Sequence, residues 1–328
     1  MNKDFVKLIL RRIATSAVVL FLMITFIFIL LRISPGDPAQ KFISPELSTG
    51  LADKVRESFN LNSSMIDQYK SFLINLLKGD MGISYNYREP VFQVIIQYLP
   101  FTIIFSLISF FIQIGVGGSL ALLAVRKINK PLDRIISRMN LIFYALPSFV
   151  IGVFLILIFS EVLNILPSSG LRSFDFDFFS PFGKVKDYIL HLIMPVLTLS
   201  LGGIAVFFRY LRDSLEETQN KPFVLNLRAN GFDEKAITLK HIIPNAAGPL
   251  IAAAGVELGM LLGGALITEV IFSLPGMGRL AVNAILQRDY PLIIGCTLAA
   301  GVLVIMSNLA ADIIRAKIDK RLIKDILN

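Results

Sequence analysis

Few side chains in this sequence could carry covalent chemistry, and they are dispersed. There are two histidines, His191 and His241, and one cysteine, Cys296. None stands at metal-ligand spacing from another donor, and no nucleophile–base pair presents itself. The phosphate loop G-x-x-x-x-G-K-[ST] is absent from the 328 residues, as are G-x-S-x-G and H-E-x-x-H. ATP hydrolysis by the Walker mechanism is therefore excluded, and hydrolase chemistry of those two types has no basis. What remains is the chemistry of carboxyl groups in apolar surroundings. A charge at mid-bilayer costs roughly 2.5–3.5 kcal/mol on insertion scales, so Glu257, inside a long apolar run, has to face a bundle interior, a cavity or a partner. It is either a polar group lining a path through the bilayer or a hydrogen-bonded structural carboxyl. Glu269 falls at the outer boundary of the same run, where it could meet a solute, a partner protein or water. His191, beside Tyr188, reads as an interfacial polar residue, and Cys296 as a small apolar residue in a span.

The elements that must position these groups are helices in lipid. Hydrophobic residues make up 55% of the chain and charged residues 17%, against about 25% charged in soluble proteins. Apolar runs fall at 10–31, 99–125, 137–160, 189–209, 246–273 and 290–312, each near the ~20 residues needed to cross ~30 Å of hydrocarbon. The expected fold is an all-α integral membrane protein with six transmembrane helices. Residues 1–31 hold a basic segment and the first span, 32–98 an extracytoplasmic segment, 99–315 a five-helix core with a loop at 211–245, and 316–328 a tail. The first run exceeds the 7–15 residues of a signal-peptide core and no small-x-small site follows, so it reads as a retained anchor.

Charge sets the orientation. The N-terminus, the second-to-third and fourth-to-fifth loops and the tail together carry 20 Lys and Arg, whereas the two short loops on the opposite side carry five. Both termini and the 211–245 loop are therefore expected to be cytoplasmic. The net charge of +8 reports topology, and nucleic acid is not an expected partner.

Three further segments have readable physics. Ser64-Met65-Ile66-Asp67 opens an amphipathic helix with Met65, Tyr69, Phe72, Leu73, Leu76 and Leu77 at helical spacing, closed by Gly79. It either packs as a connector or meets an external partner. Phe174, Phe176, Phe178, Phe179 and Phe182 alternate with acids and form a short strand or an interfacial loop, for anchoring or partner contact. Gly255, Gly259 and Gly263, with Gly264, smooth one face of the fifth span for close packing, within the subunit or against a second one.

The most informative stretch is R-A-N-G-F-D-E-K-A-I-T-L-K-H-I-I-P-N, Arg228 to Asn245. Pro222 is a helix start, Gly231 a stop, and Asp233 a cap for a second helix with Phe232 and Ile237 as its hydrophobic staple. Pro244 ends that helix or opens the next. The result is a helix–Gly–helix unit, a shape suited to another protein's groove.

This stretch resembles the cytoplasmic loop of bacterial ABC-importer permeases, whose pattern is E-A-A, three residues, Gly, nine residues, Ile-x-Leu-Pro. The Glu and alanines of the pattern are replaced by Leu225, Asn226 and Leu227. Gly231, the nine-residue gap, Ile243 and Pro244 fit, and His241 takes the Ile position. The Arg-Ala-x-Gly form and His241 resemble the dipeptide/oligopeptide/nickel subclass. So do Leu30–Ala39, Asn60-Leu61-Asn62 through Tyr69, Gly79–Ser84, Leu146-Pro147-Ser148-Phe149, Leu274–Arg279 and Asp289-Tyr290-Pro291, in order along nearly the whole chain.

The resemblance implies a type I ABC importer permease subunit in a bacterial inner membrane, carrying peptides or a related small solute, nickel included. It implies a second homologous permease, two ABC ATPase subunits that hold ATP and Mg, and an extracytoplasmic substrate-binding protein. No cofactor is expected on this chain. Arg228, Ala229, Gly231, Asp233, Glu234, His241, Pro244 and Asn245 become the ATPase-coupling loop. Gly255, Glu257, Gly259, Gly263 and Glu269 become pathway or helix-packing candidates. The rival class is an ion-gradient-driven secondary transporter, which would need intramembrane titratable relays and usually internal repeats.

Overall fold

The third apolar run does not form one straight helix. The computed structural model, which describes residues 3–33, 64–126, 128 and 130–318, breaks it at Leu146-Pro147 into α4 (Pro131–Ala145) and α5 (Ser148–Leu155), the latter continued by a π-helical stretch, Ile156–Val162. The two arms meet at 99°. Leu146 is extended (φ −80°, ψ 127°) because the proline ring disfavours α geometry in the residue before it. The expected single span at 137–160 is thus a broken one.

Five other helices are long and apolar enough to cross a membrane. They are α1 (Lys3–Ile33), α3 (Val91–Val125), α6 (Pro181–Gln219), the helix entered through α8 (Glu234–Ile237) and continued as α9 (Ile243–Gly264), and α12 (Tyr290–Ile318). The described helices therefore give five spans, or six when the bent α4–α5 pair is counted as one. Among the described residues no strand is formed beyond an isolated bridge between Ile83 and Pro90. The expected elements at 34–63 and 319–328, with the motif residues Pro35–Ala39 and Asn60–Asn62, lie outside the described residues.

At the centre stands α6, packed on α3 along its length and also touching α9, α4 and α5. Its 39 residues span about 58 Å at 1.5 Å per residue, far beyond a hydrocarbon core, so one end projects clear of the bilayer. Close approach to α3 relies on small residues. A Cβ on Gly117 would lie 2.7 Å from the Ile204 carbonyl, and one on Gly203 would collide with the Gln113 amide. On the other side α9 packs on α12, and α1 packs chiefly on α12. An ion pair of 2.9 Å between Arg12 and Asp312 joins α1 to α12 and sets their terminal ends side by side.

The amphipathic helix α2 (Met65–Leu77) is capped by Ser64, whose side chain accepts from Asp67 N, and closes at Gly79 (φ +81°). Tyr69 and Phe72 pack on Phe28 of α1, and the Tyr69 hydroxyl lies 2.6 Å from that of Thr25. The helix is thus a connector laid on the first span, although Leu77 stays 89% exposed. The phenylalanine segment is a loop with one 3₁₀ turn, Phe176–Phe178. Phe176 is buried under Tyr188, Arg172 and Lys184, while Phe174, Phe178 and Phe182 project outward.

Candidate functional site

The loop between α6 and α9 is built as a rigid corner. Pro222 begins α7 (Pro222–Ala229) at a position where no N–H is needed. At its end Phe232 N donates to Leu227 O (3.2 Å) and Gly231 N to Arg228 O (3.0 Å), with Gly231 at φ +76°. This pair of bonds is a Schellman stop, and its left-handed residue carries no side-chain penalty because it is glycine. Asp233 then caps α8, accepting from Ala236 N at 3.0 Å. Across the turn Arg228 grips Glu234 with two bonds, Nε to Oε1 at 2.7 Å and Nη2 to Oε2 at 3.3 Å. Ala229 is exposed at the corner.

The expected staple does not form as expected: Ile237 is fully buried, but Phe232 is 55% exposed. Ile237 instead joins Val224, Ile242 and Ala246 in a cluster with Ala121, Ala124, Leu211 and Leu215, so the corner is bolted onto the ends of α3 and α6. On its outer side Phe223, Leu225, Phe232 and Leu239 remain exposed. Apolar side chains grouped at a polar end of a molecule mark a contact surface.

Of the two expected readings of Pro244 the second holds: it stands in the first turn of α9, although no break precedes it. The chain runs on from α8 through a π-helical turn, Thr238–Ile242, into α9. The wider turn, closed by Ile243 N on Thr238 O, makes room upstream of a ring that would otherwise press on the carbonyl four residues back. Asn245, exposed, donates its side-chain amide to the carbonyl of the half-buried His241 at 2.7 Å.

The second feature is a cavity of about 310 Å³ between the α4–α5 break, α6 and α9. Glu257 lines it, with Phe143, Tyr144, Leu146, Ser148 and Thr198 among its neighbours. Glu257 has no hydrogen bond or ion pair among the described residues. Its helix packs through the glycine face onto α12 of the same chain: a Cβ on Gly255 would collide with that of Ala311, and those on Gly259 and Gly263 would lie 3.5 Å and 3.1 Å from Val304.

Glu269 departs from expectation. It is fully buried, on the short helix α10 (Leu266–Ile271), and not open to solute or water. Its Oε1 accepts from Thr102 Oγ1 (2.9 Å) and its Oε2 from Arg279 N (3.0 Å), while Thr102 Oγ1 accepts from Met277 N (2.8 Å). The carboxyl thereby caps α11 (Met277–Leu286) and secures the Leu274–Arg279 motif. A side chain at Gly276 would strike it. Asp289 does the same for α12, taking Ser84 Oγ at 2.5 Å, Asn86 N at 3.1 Å and Leu292 N at 3.3 Å. This joins the 79–84 and 289–291 motifs. His191 is also buried, its Nδ1 2.9 Å from Asp187 O. Among the described residues no three His, Cys, Asp or Glu gather as a metal site.

Two features were missed in the sequence. Arg212, counted there only as a basic loop residue, is held by the buried Asp133 through two 2.8 Å bonds and tethers α4 to α6. Thr198 is buried at the cavity with an unpartnered hydroxyl. The X-Pro rule at Leu146-Pro147 could have located the break and hence the cavity.

The chain matches two family models, the binding-protein-dependent transport system inner membrane component over residues 113–324 and its N-terminal companion over 5–108. It is 33% identical to a probable peptide ABC transporter permease protein of Sinorhizobium fredii, over 96% of this chain and 98% of that one. The oligopeptide transport system permease protein AppB of Bacillus subtilis is 31% identical over the same shares. The nickel import system permease protein NikB of Staphylococcus aureus is 31% identical over 96% and 92%. In fold it is similar to the MetNI methionine ABC transporter in inward-facing crystal structures, at TM-scores of 0.52 and 0.54, with 70% and 69% of this chain and 97% of that chain covered at 18% and 19% identity.

Proposed function

Given that the chain belongs to the binding-protein-dependent transport system inner membrane components, we propose that it forms half of the translocation pathway of an ATP-driven importer of peptides or a related small solute, with nickel, as in one relative, kept open. A second homologous permease supplies the other half. Two ATPase subunits, carrying ATP and Mg, dock on the Pro222–Pro244 corner from the cytoplasm, and a soluble binding protein delivers solute from outside. The basic side of the chain supports this orientation, with both termini on the corner's side.

The observation that carries the reading is the corner itself. Its inner face is buried on α3 and α6, its outer face presents exposed apolar side chains, and its second arm runs unbroken into the fifth span. Closure of the ATPases would push Phe223, Leu225 and Phe232. The Schellman turn and the Arg228–Glu234 grip would pass that push to α9 as a rigid displacement, and alternating access follows by rocking. A flexible loop would absorb the motion.

No finding favours the ion-driven alternative. The test is uptake of radiolabelled dipeptide into proteoliposomes with each component omitted in turn. The expected result is uptake that needs ATP and every subunit and survives a proton uncoupler. Uptake by this chain alone that collapses with the uncoupler would overturn the proposal.

A further inference from the structure

We infer that the cavity at the α4–α5 break is a transient binding site for a protonated amine of the transported solute, with Glu257 as its counter-charge. The inference rests on the pathway reading above and assigns a ligand chemistry to one place in it.

Three independent features point the same way. Glu257 stands in the fifth span without a hydrogen bond or ion pair among the described residues, and no Lys, Arg or His lines the cavity. An unpaired carboxylate at membrane depth calls for a cation from outside the chain. Thr198, 1% exposed, brings to the same cavity a buried hydroxyl oxygen that has no partner. The third feature is the break. The final backbone bond of α4 runs from Leu146 N to Ile142 O at 3.1 Å, and Pro147 has no N–H to offer the Phe143 carbonyl. The C-terminal end of α4 therefore reaches the cavity, at Phe143, Tyr144 and Leu146, with surplus acceptors and the negative end of the helix dipole. Half-helix ends of this kind hold cations in other transporters.

The donor set selects among cations. An ammonium carries three N–H donors, matched here by a carboxylate, a hydroxyl and a carbonyl, and the Phe143 and Tyr144 rings offer faces for its charge. A transition metal asks for several carboxylate, imidazole or thiolate ligands, and the cavity lining contains one carboxylate and no His or Cys.

The test uses the assembled complex of both permeases, ATPases and binding protein in lipid nanodiscs. Glu257 is esterified with a diazoacetamide, a carboxyl reagent that primary amines do not trap, and followed by peptide mass spectrometry in n-butylammonium chloride or in sodium chloride of equal ionic strength. Butylammonium is expected to slow modification about tenfold relative to sodium, the scale of one charged hydrogen-bonded contact. Tyr144→Ala and Thr198→Val are each expected to weaken that protection. Equal rates in the two salts overturn the inference. So does an absence of modification in either, which would place Glu257 against a protein cation of the second permease. Dipeptide uptake is measured in parallel. If the wild-type complex takes up none with ATP, the functional reading fails, while the labelling result still decides the site.

Discussion

Replacing Gly231 by valine should disconnect the two helices of the corner without removing either from the bundle. At φ +76° the residue sits in the left-handed region, and a Cβ built on it meets nothing within 4 Å. The obstacle to valine is therefore backbone conformation alone, about 1–2 kcal/mol for a branched residue. Against this stand Val224, Ile237 and Ile242, all fully buried and worth roughly 1.5–3 kcal/mol each. The mounts outweigh the strain, so the helices stay docked and the Schellman turn between them opens. A penalty of about 1.4 kcal/mol lowers the ratio of closed to open corner about tenfold, and ATP-dependent uptake should fall by up to that factor while the protein still assembles in the membrane. Asparagine tolerates the left-handed region, so Gly231→Asn should keep most of the coupling. The assay is the ratio of solute taken up to ATP hydrolysed in proteoliposomes of the full complex. Valine and asparagine variants with the same ratio, or a valine variant with the wild-type ratio, would refute the reasoning.

Other predictions follow from the buried polar contacts and from topology. Asp133→Ala removes two 2.8 Å bonds from Arg212 but leaves it Glu216 at 2.9 Å, and should lower stability by about 1–3 kcal/mol, seen as a lower unfolding temperature of the detergent-solubilised complex. Arg228→Ala and Glu234→Ala, at an exposed pair, should each change stability by less than about 1 kcal/mol in the same measurement. Glu269→Ala removes two accepted hydrogen bonds from a fully buried site and should lower stability by about 3 kcal/mol. Glu269→Gln, which keeps one acceptor, should cost less. With Cys296→Ala as background, a cysteine placed at Asp233 should react with a membrane-impermeant maleimide only in inside-out vesicles, and labelling of intact cells would reverse the topology.

The parts of this fold that were legible in the sequence are those written in local terms. Length and hydrophobicity gave the spans, because a bilayer imposes a fixed run of apolar residues. Pro222, Gly231 and Asp233 announced the corner, because capping and left-handed stops depend on a residue and its immediate neighbours. What could not be read depends on which distant residues meet. The distance along the chain between Glu269 and Thr102, or Asp289 and Ser84, hides that each carboxyl closes a helix end. Arg212 looked like any loop cation until α4 folded back with Asp133. Glu257 and Glu269 look alike in a hydropathy trace, yet Glu269 accepts from Thr102 and Arg279 around a helix start and Glu257 faces an open cavity. The Phe232 staple failed for a similar reason: the core beneath the corner already had Val224 and Ile242 to pack against Ile237.

The π-helical turn at Thr238–Ile242 fixes a phase relation between the two ends of one helix. Each residue of an α-helix advances the side chains by about 100° around the axis, so the additional residue in that turn sets the direction in which Glu257 points for a given seating of Ile237. Deleting one residue from the turn would force a choice. With the corner seated, α9 would rotate by about 100° and carry Glu257 off the cavity and Gly255 off Ala311. With α9 seated, Ile237 would swing out of its cluster. The turn thus works as an angular offset between machine and path, and single-residue length changes here should be poorly tolerated.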